Sequence, residues 1–122
     1  EEYRAQLGSF GLSGPLALQT IKTLSGGQKS RVVFAALCMQ SPHLMILDEP
    51  TNHLDMDSID ALIGALKLYQ GGVVVVSHDK KFIDCLCGDQ IWVCKGGRLA
   101  RFEGGSIHEY ARDLVASIGK RE

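Results

Sequence analysis

The apolar positions of this chain change rhythm along its length, and each rhythm predicts an element. From Gln28 to Gln40, Val32, Val33, Ala35, Ala36, Leu37 and Met39 cover most of the way round a helix. That predicts a buried helix stopped at Ser41-Pro42, because the residue before a proline is pushed out of helical conformation. The continuous run Leu44-Met45-Ile46-Leu47 then ends abruptly in Asp48-Glu49-Pro50, which predicts a strand buried on both faces of a parallel sheet. Ile59, Leu62, Ile63 and Leu66 return at helical spacing, and Gly71-Gly72 is expected to end that helix. Val73 to Val76 is a second doubly buried strand, ending at Ser77-His78-Asp79. Strand, helix and strand in this order make a parallel unit with a right-handed crossover, and both carboxyl ends lie at one sheet edge. Asp48, Glu49 and His78 are therefore expected together.

The two ends of the chain read more simply. Residues 1 to 10 predict a short helix, broken by Gly11-Leu12-Ser13-Gly14-Pro15 and followed by a loop to Leu24. A short helix is expected from Lys80 to about Leu86. Gln90 to Cys94 and Arg98 to Phe102, joined by Lys95-Gly96-Gly97, predict an antiparallel hairpin. Ser106 and Glu109 form a capping-box pair ahead of a helix running to about Ile118.

Composition narrows the class. With 122 residues, 45% hydrophobic and 22% charged, and a formal net charge of −1, the chain reads as an ordinary globular segment without the basic excess of a nucleic-acid binder. No apolar run approaches the roughly 20 residues that span a bilayer, so a cytoplasmic protein without a membrane partner is the expectation. Cys38, Cys85, Cys87 and Cys94 are expected to be reduced structural thiols, since Cys85-Leu-Cys87 lacks the two-residue spacing usual for zinc. The chain opens Glu1-Glu2-Tyr3 without a methionine, so the numbering is expected to start inside a longer protein.

Three stretches carry candidate chemistry. In Leu24-Ser25-Gly26-Gly27-Gln28 a loop enters a helix, with Ser25 able to cap and two glycines leaving N–H groups uncovered. Unpaired donors and the positive dipole end make such a start an anion site. Lys29 and Arg31 strengthen that reading, because cations in a first turn need solvent or an anion nearby. Alone, Ser-Gly-Gly reads rather as a glycine-softened cap with solvated basic residues. Asp48 and Glu49 are adjacent carboxylates at the carboxyl end of a strand, where open α/β sheets place ligands. One can hold Mg²⁺ through its water shell while the other reaches an attacking water. His78, at the same edge, can bond a phosphate oxygen or that water without adding a permanent charge. His43, His53 and His108 have no comparable setting and read as structural.

Taken in order and spacing, Leu24-Ser25-Gly26-Gly27-Gln28, Leu44-Met45-Ile46-Leu47-Asp48-Glu49 and Ser77-His78-Asp79 resemble the ATP-binding-cassette ATPases. By that resemblance they are the signature motif, the Walker B strand with its general base, and the switch histidine. Asp48-Glu49-Pro50-Thr51-Asn52-His53-Leu54-Asp55 is similar to the form of the soluble F subfamily, whose members carry two cassettes and act on ribosomes. Trp92-Val93-Cys94 and Glu103-Gly104-Gly105 resemble the second cassette of the eukaryotic, translation-control type. The fold so implied is α/β, the C-terminal portion of a P-loop NTPase-like cassette. Residues 1–40 would hold the end of a helical subdomain and the signature helix. Residues 41–103 would hold the Walker B to switch-histidine core and hairpin, and 104–122 a terminal helix.

The resemblance also implies a mechanism. Two cassettes of one parent chain face each other head to tail, each ATP being held by the phosphate loop of one and the signature motif of the other. Ser25, Gly26 and Gly27, with Gln28 completing the motif, would meet the γ-phosphate on the opposite cassette. Asp48 would hold the Mg²⁺ water shell, Glu49 would polarise the attacking water and His78 would sense the γ-phosphate. Asp55 would report across the interface. A ribosome or a translation regulator is the implied further partner.

One departure is decisive. A phosphate loop reads Gly, four residues, Gly-Lys and Ser or Thr, and no such run occurs; Gly27-Gln28-Lys29-Ser30 is interrupted by glutamine. The chain alone is therefore expected neither to bind ATP well nor to hydrolyse it. Competing readings are a transporter's cassette, which Asn52-His53-Leu54-Asp55 argues against, and a non-enzymatic docking module, which Glu49 and His78 argue against for the parent but which stays open for this stretch alone, where missing strands would leave sheet edges and apolar surface exposed. A DNA-repair cassette would bring zinc pairs or coiled-coil heptads, which are not found here.

Overall fold

The computed structural model describes residues 1–88 and 90–119 as an α/β chain whose contacts divide it into two compact units, 1–76 and 77–122. The first holds helix α1 (Glu2–Ser9), two 3₁₀ turns at Gly14–Leu18 and Ile21–Thr23, helix α2 (Gly26–Met39), strand β1 (Leu44–Asp48), helix α3 (Met56–Leu68) and strand β2 (Gly72–Val76). The second holds helix α4 (Lys80–Cys87), strands β3 (Trp92–Lys95) and β4 (Arg98–Arg101), and helix α5 (Ile107–Gly119).

In the first unit β1 and β2 pair in parallel, Leu44 opposite Gly72, Ile46 opposite Val74 and Asp48 opposite Val76. The strand, helix, strand unit expected from the apolar pattern is present. Its core consists of Phe10, Leu12 and Leu24 from the N-terminal segment, Ala35 and Cys38 of α2, Met45 and Leu47 of β1, and the α3 stripe Ile59, Leu62, Ile63, Ala65 and Leu66. That stripe recurs at three- and four-residue spacing, which is why α3 buries one face against its neighbours. Each fully buried Leu such as Leu62 contributes roughly 1.5–3 kcal/mol over an exposed one.

Two expectations about burial need correction. Neither strand is buried on both faces: in β1 Met45 and Leu47 are buried while Leu44 and Ile46 are exposed, Ile46 to 68%. In β2 Val74 and Val76 lie on an exposed face too. Among the described residues nothing covers that face, so an apolar run that reads as doubly buried is covered on one side here. Likewise α2 buries only Ala35 and Cys38, and Val33 is 65% exposed, because α2 packs on α1 and α3 and its remaining surface stays open.

The glycine pair before β2 also acts differently from the expectation. Helix α3 ends at Leu68, with Tyr69 already extended, and the Tyr69 hydroxyl donates to the Pro42 carbonyl. A Cβ on Gly71 would lie 2.8 Å from the Pro42 carbonyl oxygen and 2.6 Å from the Tyr69 ring. Gly71 thus permits a close backbone approach rather than capping the helix, and Gly72 is the first residue of β2, its N–H donating to the His43 carbonyl at 2.9 Å.

In the second unit the antiparallel hairpin closes Lys95 on Arg98, with Gly96 at φ 58° and Gly97 at φ 72°, the two left-handed residues that a tight hairpin turn demands. The Phe102 N–H donates to the Ile91 carbonyl at 2.8 Å, carrying the ladder one bond further. Ser106 accepts from the Glu109 N–H at 3.3 Å at the start of α5, and the Tyr110 ring meets Phe102 edge to face at 5.4 Å. His108 pairs with Asp84 at 3.3 Å, joining α5 to α4. All four cysteines are free thiols; Cys38 is buried and Cys94 exposed.

Candidate functional site

Helix α2 begins with a complete capping box. The Gln28 N–H donates to Ser25 Oγ at 3.2 Å, and the Ser25 N–H donates to Gln28 Oε1 at 2.9 Å. This reciprocal pair fixes the entry of the chain into the helix and leaves Gly26 and Gly27 as its first two residues, where main-chain N–H groups have no intrahelical partner. A Cβ on Gly26 would have nothing within 4 Å, so its surroundings are open.

Gly27 is different. A Cβ there would lie 3.0 Å from Asp55 Oδ1 and 3.1 Å from Ser58 Oγ. The start of α3 lies close against the start of α2, and any side chain larger than glycine's would require Asp55 and Ser58 to give way by a few tenths of an ångström. Asp55 caps α3, accepting from the Ser58 N–H at 3.1 Å, while Arg31 reaches across from α2. Its Nε–H donates to Ser58 Oγ at 2.8 Å, and its terminal nitrogen stands 3.7 Å from Asp55 Oδ2. The Ser58 hydroxyl, on a residue only 1% exposed, in turn donates to the Gly27 carbonyl at 3.4 Å.

Arg31 is the sixth residue of α2, in its second turn, and the anion beside it is Asp55 of this same chain. The Arg31 side chain is only 14% exposed, and a cation so covered needs its partners. Lys29 is exposed to solvent. The neighbouring Ser58, then Arg31, hold the Asp55 carboxyl below its ordinary range, outweighing partial desolvation. Sequence reasoning singled out Asp55 but missed Ser58. An Asp followed three residues later by Ser at a helix start signals a cap, yet nothing in the sequence joins Ser58 to an arginine 27 residues earlier.

Asp48 is the last residue of β1, exposed and in register with Val76. The Glu49 N–H donates to the Val76 carbonyl at 2.7 Å, but Glu49 itself has φ 46°, in the left-handed region that non-glycine residues seldom occupy. Two successive turns follow, Asn52 N–H to Glu49 carbonyl at 3.1 Å and Leu54 N–H to Thr51 carbonyl at 3.2 Å, with His53 at φ 63°. They carry the chain from the strand end to Asp55. The two carboxylates therefore leave the strand from backbones of opposite hand and do not share one direction. Among the described residues no group of three or more His, Cys, Asp and Glu side chains is placed to bind a metal ion.

His78 belongs to the second unit and is exposed. It stands between Ser77, whose Oγ accepts from the Asp79 N–H at 3.0 Å, and Asp79, which caps α4 by accepting from the Phe82 N–H at 3.0 Å. Both flanking side chains are engaged in shaping the backbone around it.

Among the described residues no helix is long and apolar enough to cross a membrane. The family described as ABC transporter matches residues 1–52. An uncharacterized ABC transporter ATP-binding protein of Schizosaccharomyces pombe is 59% identical over 112 residues, 92% of this chain and 15% of that protein. Protein GCN20 of Saccharomyces cerevisiae is 56% identical over 115 residues, 94% of this chain and 15% of its own length. The human ATP-binding cassette sub-family F member 3 is 57% identical over all 122 residues, which span 17% of it. The chain spans about one sixth of the length of these relatives. With this identity over nearly all of its length, the chain belongs to the ATP-binding-cassette family and, within it, to the F subfamily.

Proposed function

We propose that this chain is the signature and Walker B portion, of P-loop NTPase type, of a cassette in a soluble, cytoplasmic twin-cassette ATPase acting in ribosome-associated translation or its control, and that the cassette is the second of the two. The observation that carries the catalytic part is the Asp48-Glu49 turn: adjacent carboxylates of divergent backbone at the carboxyl end of a parallel strand, the second held at φ 46° by a bond to Val76. Strain retained at such a position is characteristic of functional sites.

The residues divide the work. Ser25, Gly26 and Gly27 present uncovered N–H groups to the γ-phosphate of an ATP bound to the opposite cassette, while Gln28 holds the loop closed through its bond to the Ser25 N–H. Glu49 takes the proton of the attacking water, and His78 contacts the γ-phosphate and reports its loss. Asp55 stands where the interface between cassettes would meet the signature helix.

Asp48 would hold Mg²⁺ through its water shell. One carboxylate can serve Mg²⁺, which keeps several waters and is bound through one or two carboxylates plus substrate phosphates. When bound, the ion neutralises charge on the β- and γ-phosphates.

The 122 residues contain no Gly-x₄-Gly-Lys-Ser/Thr run, so on this reading the phosphate loop comes from elsewhere in the parent protein. The test is ATP hydrolysis and Mg²⁺-ATP binding by the chain alone and joined to an upstream segment that supplies the loop. Activity only in the joined protein, abolished by Glu49→Gln, is the expected result. Hydrolysis or micromolar ATP binding by the chain alone would overturn the placement of the nucleotide site.

A further inference from the structure

Arg31 and Ser58 lie outside the groups that would touch ATP, yet with Asp55 and Gly27 they join two of the loops that would. We propose that Arg31 and Ser58 are positioning residues that lock the Ser25-Gly26-Gly27 loop to the turn between Glu49 and Asp55, so that the two act as one rigid surface toward the opposite cassette. The proposal rests on the twin-cassette reading above.

Four observations carry it. First, the Ser58 hydroxyl bridges the two helix starts, accepting from Arg31 Nε–H at 2.8 Å and donating to the Gly27 carbonyl at 3.4 Å. Second, Asp55 is held from both sides, by the Ser58 N–H at 3.1 Å and by Arg31 at 3.7 Å. Third, a Cβ on Gly27 would stand only 3.0 Å from Asp55 Oδ1 and 3.1 Å from Ser58 Oγ, so the two helix starts are in close contact at the cluster. Fourth, Arg31 is largely covered and its guanidinium is already committed within the chain, so it is placed to orient the loop rather than to bind phosphate.

The chemistry favours arginine specifically. A planar guanidinium can donate from Nε to Ser58 and present a terminal nitrogen to Asp55 at the same time, whereas a lysine ammonium is a point charge on a flexible stem and cannot reproduce the fork. Serine is suited to the centre because its hydroxyl both accepts and donates. If the loop must meet a γ-phosphate held by another cassette, a displacement of about 1 Å can cost roughly a hundredfold in rate while leaving binding at the cassette's own phosphate loop intact.

The experiment uses the full-length two-cassette protein with Arg31→Lys, Arg31→Ala, Ser58→Ala and the Arg31→Lys, Ser58→Ala double variant. Four quantities are read: kcat and KM for ATP hydrolysis, affinity for a fluorescent ATP analogue, and the thermal unfolding midpoint. Arg31→Lys and Ser58→Ala are each expected to lower kcat about tenfold or more, within the hundredfold that misplacement can cost, with analogue affinity within about twofold of the unaltered protein. The double variant is expected to be no slower than the slower single one, since both break one lock. Arg31→Lys keeps the charge and is expected to lower the unfolding midpoint less than Arg31→Ala does, so a rate loss out of proportion to its midpoint distinguishes positioning from a merely structural role. Losses in kcat that simply follow the unfolding midpoint, full activity in Arg31→Lys, or additive losses in the double variant would overturn the proposal while leaving the ATPase reading intact. An unaltered protein that hydrolyses no ATP would overturn that reading, and the proposal with it.

Discussion

Glu49 and Val76 are joined by a main-chain hydrogen bond of 2.7 Å although Glu49 has left the β conformation and stands at φ 46°. The parallel ladder of β1 and β2 therefore extends one residue past Asp48, and that residue pays a left-handed backbone cost of roughly 1–2 kcal/mol. A glycine would avoid the cost. Keeping a glutamate here is understandable if the carboxylate has a task that glycine cannot do.

Glu49→Gly and Glu49→Ala separate the two contributions. Both remove the carboxylate, and both are expected to abolish hydrolysis in a protein supplied with a phosphate loop. Only glycine relieves the backbone, so Glu49→Gly is expected to be more stable than Glu49→Ala by about 1 kcal/mol. Urea midpoints of the two variants, measured side by side, check it; equal midpoints would mean that the turn relaxes around alanine.

Gly26 and Gly27 are adjacent in one motif but differ in surroundings. Gly26→Ala meets open space in a helix and is expected to stabilise by about 0.5–1 kcal/mol, the usual gain of alanine over glycine there. Gly27→Ala gains the same propensity but forces a Cβ against Asp55 Oδ1 at 3.0 Å and Ser58 Oγ at 3.1 Å. Its net effect is expected to be neutral or destabilising. If both glycines serve a phosphate on the opposite cassette, both variants lose ATPase activity although their stabilities move apart. Thermal unfolding and hydrolysis rates on the same preparations decide this.

Local chemistry in this chain was legible from the sequence, and relations between distant segments were not. Ser25 as a cap, the turn at Gly96-Gly97 and the strand ending at Asp48 follow from residues within four positions of one another, where spacing determines geometry. Burial was misjudged for the opposite reason. A run such as Leu44 to Leu47 shows that a strand tolerates apolar surroundings on both faces, but it does not show that this chain supplies both layers, and Ile46 is exposed. Ser58 was overlooked because its partners Gly27 and Arg31 lie on another helix. The same contact settles the surroundings of Arg31, which the sequence left to solvent or a nearby anion and the structure gives to Asp55.

Asp55 makes stability depend on acid. Ser58 and Arg31 stabilise its ionised form, so its folded-state pKa is lower than in the unfolded chain. The unfolded state then binds the proton more readily, and the contribution is present above the ordinary carboxyl pKa of about 3.9 and is lost as pH falls through the depressed folded value. Asp55→Asn can still cap α3 but carries no charge, so it is expected to flatten the fall in stability below about pH 4 relative to the unaltered chain. Urea midpoints between pH 2.5 and 6 measure it; parallel curves for the two proteins would show that Asp55 does not titrate differently on folding.

The exposed face of the parallel pair makes the last prediction. Leu44, Ile46, Val74 and Val76 lie on one side of β1 and β2, with Ile46 directly opposite Val74. Contiguous apolar surface of this kind promotes association in water. In the chain alone, Ile46→Thr with Val74→Thr replaces one exposed β-branched cross-strand pair by another, so stability is expected to change by no more than about 1 kcal/mol. Self-association measured by sedimentation velocity is expected to weaken. In the parent protein the outcome depends on whether further strands or helices cover the face. If they do, the same pair of substitutions buries two hydroxyls against apolar neighbours and is expected to cost about 2 kcal/mol or more. Small effects in both contexts would mean the face stays open in the parent as well.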